Sequence, residues 1–363
     1  MDNAYFMGDE EALNDMISSF RKRGWLTLGY KLENSRVVFG DVRSTMDLPL
    51  NVEDYVEPGS YRLRAGGRFR HSYHSPKTYL HPPLQVLALE SKDFAHYEEP
   101  SYDVDNGVVL LGVKPCDLEA MRVLDGILLG KHPVYTAKRR SVVAVVVEEC
   151  LEPNNNCFCA VTNTGPTARG EFDIAYARLS HGKVLLKPGS KLGEEVVGEL
   201  GLQPASRDLL EEYRRSVKQA VETMKRRLEV NLEKVQKLLL RSARNRDLWI
   251  ELSSRCVGCG NCNYVCPTCF CLEVDYTIEN SKAAKVAKWT GCLLYTYGQL
   301  ATMHVRPELY TRYRHFVLHK FVFYPIQVGR VGCVGCGRCI TWCPMGIDLR
   351  STVKKITEVE KWP

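Results

Sequence analysis

The chain has 363 residues, 45% of them hydrophobic and 25% charged, with 49 Lys and Arg against 43 Asp and Glu for a net charge of +6. Length predicts two or three domains, and the composition is ordinary for a soluble globular protein. So modest a charge, with no recognition motif beside it, argues against a nucleic-acid partner. The first twenty residues lack a basic stretch followed by an apolar one, and the longest apolar runs are strand-sized, so neither a secretory signal nor a membrane span is expected. The expected location is the reducing cytoplasm. The outlier is the count of 15 cysteines.

Taken in chain order, residues 9–22 read as a short amphipathic helix ending before Gly24. The apolar runs at 108–113, 142–147 and 184–186 read as buried strands, and residues 116–129 as a helix with Leu118, Met121, Leu124 and Leu128 on one side. Strand, helix and strand in that order predict a mixed-sheet domain of the α+β or α/β class over residues 1–204. A Gly-, Pro- and His-rich loop at 58–83 interrupts it. Over 207–244, Leu210, Tyr213, Val217, Val221, Met224 and Leu228 recur every three or four residues, which predicts one long helix or two consecutive ones in a connector spanning 205–252.

Residues 253–363 carry one cysteine pattern twice, starting 77 residues apart: Cys256, Cys259, Cys262 and Cys266-Pro267, then Cys333, Cys336, Cys339 and Cys343-Pro344. This is the run with which bacterial-type ferredoxins hold [4Fe-4S] cubanes. Three thiolates at i, i+3 and i+6 wrap three corners of one cube, and the fourth cysteine crosses to the other. Cluster I is therefore expected on Cys256, Cys259, Cys262 and Cys343, and cluster II on Cys333, Cys336, Cys339 and Cys266. Zinc is the competing metal, but a zinc ribbon uses two CxxC pairs per ion, whereas each run here has three evenly spaced cysteines and a Cys-Pro. Disulfides fit less well in a chain long enough for an ordinary core. The domain expected is a two-cluster ferredoxin-like fold with a long insertion at 268–332, whose residues would make helices and a partner surface.

Seven thiols remain. Cys116, Cys150, Cys157 and Cys159 each follow a predicted strand or lie in the loop after one, so they can converge into a third iron–sulfur site; the alternative is that Cys116 and Cys150 are small buried hydrophobes. Asp117 suits a helix cap better than an oxygen ligand. Cys269, Cys271 and Cys292 in the insertion are read as packing residues or weak hydrogen-bond donors to the clusters. His71, His74 and His81, near Arg68 and Arg70, are read as solvated or hydrogen-bonded rather than as a metal site. Residues 310–319, with Arg312, Arg314 and His315 among aromatics, are expected to form a half-buried helix.

No Gly-x-Gly-x-x-Gly opens a helix after a strand, and no Walker A run occurs. Also missing are the paired CxxC motifs near both ends that hold nickel in a hydrogenase large subunit. A chain with two cubanes and no evident site for hydride, nucleotide or gas chemistry is expected to conduct single electrons. The reading from another class is a scaffold whose metal sites serve folding only.

Several segments together carry a family resemblance: Val113-Lys114-Pro115-Cys116-Asp117-Leu118, the Cys150 to Cys159 stretch, Cys266-Pro267-Thr268-Cys269-Phe270-Cys271, and His319-Lys320-Phe321 ahead of Cys333-Val334-Gly335-Cys336-Gly337-Arg338-Cys339. They resemble the iron–sulfur β subunit of archaeal cytoplasmic sulfhydrogenases, and the equivalent iron–sulfur subunit of anaerobic sulfite reductases is similar. The resemblance runs over roughly residues 60–350. It implies an electron-relay subunit whose partners are a flavoprotein handling NAD(P)H, which carries the flavin and nucleotide, and either hydrogenase small and large subunits or a sulfite reductase subunit. The sequence departs from the family pattern at 160–166 and at Trp289-Thr290-Gly291-Cys292, which leaves the eight ferredoxin cysteines untouched.

Overall fold

The computed structural model describes residues 5–91, 97–98, 100–102, 106–279 and 282–359. In the N-terminal half, Leu26–Glu33, Val108–Val113, Val142–Glu148 and Ile174–Arg178 lie side by side in that order as parallel strands. Val184–Pro188, Phe6–Gly8 and Gln203–Pro204 extend one side antiparallel and Arg36–Asp41 closes the other, giving a mixed sheet of eight strands. Successive side chains leave opposite faces of a strand. Val109 and Leu111 therefore pack with Leu13, Met16, Ile17 and Phe20 of helix Glu10–Lys22, while Val108 and Leu110 pack with Leu118, Met121 and Leu124 of helix Pro115–Leu128. Helices on both faces explain why all six residues Val108–Val113 are buried.

Local signals fix both helix starts. Asp9 caps the first, its carboxylate accepting from the N–H groups of Glu11 and Ala12. Pro115 occupies the first turn of the second, where its missing N–H costs nothing. Just before it, the pairing register shifts between Leu110 and Val113 at Gly112, whose φ is +66°. The bulge moves Val113 onto the face of Val108 and Leu110 and turns the chain at the carboxyl end of the sheet, where open α/β sheets place their sites.

The stretch 207–244 forms two consecutive helices, Arg207–Arg227 and Leu232–Ser242, the second recapped by Asn231. Tyr213 packs under the sheet edge with Ala177 and Leu179, and Ala220 and Met224 lie over Cys159. Helix Arg246–Ser253 and the C-terminal helix Leu349–Val359 enclose Trp249, Tyr313, Phe316, Val317 and Ile340 in the core beneath the two cysteine runs. Each run ends in a short helix, Asn261–Val265 or Arg338–Thr341.

The insertion, expected to form helices, begins instead with a hairpin, Leu272–Glu279 and Lys282–Trp289, which adds antiparallel to strand Leu84–Ser91 from the N-terminal half. Its helix Leu309–Leu318 buries Arg312, Tyr313 and Phe316, and continues through a π turn at His319–Phe323 into Tyr324–Val328. The half-buried helix expected at 310–319 is this one.

Candidate metal centres

In the first run the chain must double back between ligands, and it does so at Gly258 and Gly260, with φ of +68° and +73°. A side chain there would meet the left-handed penalty. The Gly258 N–H turns inward and bonds the Cys256 sulfur. Cys256, Cys259 and Cys262 line an apolar cavity, and Cys339 and Cys343 of the second run line the same one, Cys343 standing 81 positions beyond Cys262. Val257, Leu293, Tyr313, Phe316, Ile347 and Leu349 complete its wall. Burial, and then the neighbouring thiols including Cys343, raise the Cys256 and Cys262 thiols above their ordinary value.

The second run repeats the backbone device at Gly335 and Gly337, with φ of +61° and +80°. Its fourth neighbour comes from the first run. Burial pushes the Cys333 thiol up to about 12, with repulsion from Cys266 and Cys336 adding to it and the Gly335 N–H opposing it. Cys266 is likewise among the charges felt by Cys336 and Cys339. Cys266 differs from the others. A hydrogen bond from Cys269, and then, against burial, the Lys320 ammonium, hold it well below the usual thiol value. Cys343 thus stands at the first run's cavity and Cys266 beside the thiols of the second run.

The donor set fits a cluster better than a single ion. Among the described residues, no three His, Cys, Asp or Glu side chains converge on one point as a single ion needs. Five thiols line one cavity instead, all soft sulfur donors, a set that suits an iron–sulfur cubane better than a lone ion.

The N-terminal thiols also converge. Cys116 starts helix Pro115–Leu128, Cys150 follows strand Val142–Glu148, and Cys157 and Cys159 lie on the loop beyond it. Cys116, Cys157 and Cys159 pack together under Ala220 and Met224, with Cys159 Sγ 3.5 Å from Met224 Sδ. Burial, and then Cys150, raise the Cys157 thiol, and Cys150 and Cys157 both act on Cys159. This group abuts the second run: Cys157 Sγ lies 3.7 Å from the Cys336 carbonyl, and Cys116 packs against Val334 and Cys336. The Phe158 N–H donates to Gly335 O at 2.8 Å and the Thr164 hydroxyl to Val334 O at 2.7 Å.

Asp117 neither caps its helix nor stands free as a ligand, because its carboxylate is taken by Arg338 at 2.6 and 2.9 Å and by the Tyr30 hydroxyl at 2.7 Å. Arg338 also donates to the Ser72 carbonyl, and the pair is completely buried. Of the two expectations for the loop histidines, solvated or hydrogen-bonded, the second holds for His71 and His81. His71 and His81 are buried, His71 Nδ1 bonding Asn154 at 2.7 Å and His81 Nε2 bonding Phe270 O at 3.1 Å. The loop they occupy is sandwiched between the sheet and the cysteine runs, so burial replaces solvation.

Cys269, Cys271 and Cys292 gather beside Cys266. Asn263 Nδ2 lies 3.6 Å from Cys269 Sγ and 3.4 Å from Cys292 Sγ, and Tyr297 bonds Cys271. Sequence reasoning passes over Arg338, Lys320 and Lys77 as individual residues. Arg338 does carry a signal, since it stands between two expected ligands where the first run has the neutral Asn261. Lys77 carries none.

The paired cysteine runs are those of an iron–sulfur electron-transfer protein, and residues 255–347 match the 4Fe-4S dicluster domain family. Over 290 residues the chain is 34% identical to sulfhydrogenase 2 subunit beta of Pyrococcus furiosus, an alignment covering 79% of this chain and 83% of that one. The chain belongs to the sulfhydrogenase β-subunit family. Among the described residues, no helix is long and apolar enough to cross a membrane.

Proposed function

We propose that this chain is the cytoplasmic relay subunit of a NiFe hydrogenase complex, passing single electrons between a flavoprotein that handles NAD(P)H and the hydrogenase subunits. One cubane would be held by Cys256, Cys259, Cys262 and Cys343, and a second by Cys333, Cys336, Cys339 and Cys266. Cys116, Cys150, Cys157 and Cys159 would hold a third. The observation that supports the reading is the placement of Cys343 at the first run's cavity and of Cys266 beside the second run's thiols, as an exchange of fourth ligands in a two-cubane domain would require. When bound, such clusters accept and release one electron each without moving heavy atoms.

The protein's own groups order the path. The N-terminal thiols touch the second run through Cys157 and Cys336, and the helix Arg338–Thr341 that carries Cys339 of the second run leads two residues on to Cys343. Of the 15 cysteines, all among the described residues, Cys259 alone is exposed, so the first ring offers the edge nearest a docked partner. Tunnelling needs short gaps, and these three groups stand in series.

Anaerobic purification of the native complex tests the partners, with identification of its companions, iron analysis and an EPR-monitored redox titration. Nickel and flavin subunits in the complex, with about twelve iron atoms per chain, bear the reading out. About eight iron atoms remove the third centre. A sirohaem protein in place of the nickel subunit moves the chain to a sulfite reductase, and a zinc-loaded, EPR-silent chain ends the relay reading.

A further inference from the structure

Five cationic side chains in the described residues are more than nine-tenths buried: Lys77, Lys114, Arg312, Lys320 and Arg338. Two of them have carboxylates. Lys114 meets Glu148 at 2.7 Å and Arg338 meets Asp117 at 2.6 Å. The other three have none within ion-pair distance among the described residues. Lys320 Nζ, delivered by the π turn, bonds the Thr268 hydroxyl at 2.8 Å and faces the Cys266 and Cys269 sulfurs. Lys77 Nζ lies behind it, bonded to the carbonyls of Tyr264 and Cys269 at 3.0 and 3.3 Å and seated 3.7 Å over the Trp289 ring. Arg312 alone stands near the first ring, acting on Cys256 while it donates to the Leu293 carbonyl.

A buried ammonium without a counter-charge is strongly disfavoured. A single thiolate at Cys266 answers one of the two ammonium groups, not both. A cubane on four thiolates answers both, since it is an anion in both oxidation states and gains a further negative charge on reduction. A fixed positive charge beside it favours the reduced form, and local charge is one of the factors that set a cluster's potential. Two compact ammonium groups converge on the Cys266 side, against one delocalised guanidinium near the other ring.

We propose that Lys320, supported by Lys77, is a potential-setting residue that raises the reduction potential of the centre held through Cys266 above that of the centre at the exposed edge. An electron arriving at Cys259's ring then leaves that centre oxidised and comes to rest one step inside, and no proton or group is transferred. This rests on the two-cubane reading, and the test separates the two.

The complex is purified anaerobically as wild type, Lys320→Met, Lys320→Arg and Lys77→Met, and each is analysed for iron and titrated by EPR. In Lys320→Met one midpoint falls by a tenfold change in the reduction equilibrium or more, about 59 mV for a one-electron couple, while the others hold and the iron content is unchanged. Lys320→Arg, which keeps the charge, stays near wild type. Unchanged midpoints in Lys320→Met and Lys77→Met, or an equal shift of every centre, overturn the inference. If Lys320→Met loses iron, Lys77→Met decides: its midpoint falls if the charge matters and stays if Lys320 only fills space. Failure to find two reducible centres in wild type would defeat the two-cubane reading instead.

Discussion

The first cysteine run lies at the surface, with Cys259 exposed and Val257 60% exposed, whereas in the second Cys333 and Cys336 are each 8% exposed and Arg338 is wholly buried. The ligand spacing is identical and both loops turn at paired left-handed glycines. What separates them is the residues between the ligands. A Cβ on Gly258 or Gly260 would meet only side chains first, Leu309 and Leu294, but one on Gly335 would come within 2.6 Å of the Cys159 backbone nitrogen and one on Gly337 within 2.6 Å of the Asn156 carbonyl oxygen. Asn261 in the first run becomes Arg338 in the second, which reaches Asp117 in the other half of the molecule. Spacing sets what each loop can bind, and the intervening residues set whether it faces solvent or the N-terminal thiol loop.

The largest expected effect follows from exposure. Brief oxygen or chelator treatment of the purified complex should attack the Cys259 ring first, removing about four iron atoms per chain and one EPR signal before the others fade. Simultaneous loss of all centres would erase the distinction between the loops. Next comes the buried ion pair. Arg338→Met leaves the Asp117 carboxylate buried without its partner and should cost about 3–5 kcal/mol in anaerobic denaturant unfolding, whereas joint replacement by Arg338→Met and Asp117→Leu should recover most of that. An Arg338→Met loss no larger than that of Asn261→Ala, about 1 kcal/mol for one partly exposed hydrogen bond, would mean that the second loop is not seated by this pair.

The ligand spacing is legible because eight cysteines and their prolines encode it within two short windows, and the helix at 10–22 because its apolar period and its Asp9 cap agree. A partly parallel sheet is legible from runs such as 108–113 and 142–147, but the parallel strands Leu26–Glu33 and Ile174–Arg178, the strand order and the register are not. What stays hidden involves partners far apart in sequence. Asp117 is 221 positions from Arg338, strand Leu84–Ser91 pairs with a hairpin nearly 200 residues later, and His71 and His81 are buried only because the cysteine runs close over their loop. A local reading gives Asp117 a cap, since a carboxylate in a first helical turn usually has nothing stronger nearby. The convergence of the N-terminal thiols is foreseeable because each follows a parallel strand, but their contact with Cys336 is not, since it depends on Gly335 letting two backbones approach.

That approach gives the smallest and most discriminating test. Gly258→Ala and Gly335→Ala both force a β-carbon into left-handed backbone, at about 1–2 kcal/mol. At Gly258 the nearest obstacle is the tip of Leu309 at 3.3 Å, which can move aside. At Gly335 the obstacles are backbone atoms of Phe158 and Cys159 at 2.6 to 2.7 Å, so overpacking should add about 1–3 kcal/mol. The excess of Gly335→Ala over Gly258→Ala in unfolding free energy therefore measures how tightly the N-terminal thiol loop is pressed onto the second run. The Gly335 variant should also perturb the signal of any centre at Cys157 and Cys159, while Gly258→Ala should leave that signal alone. Equal costs and no spectral change would separate the two regions and leave the inner end of the relay without its contact.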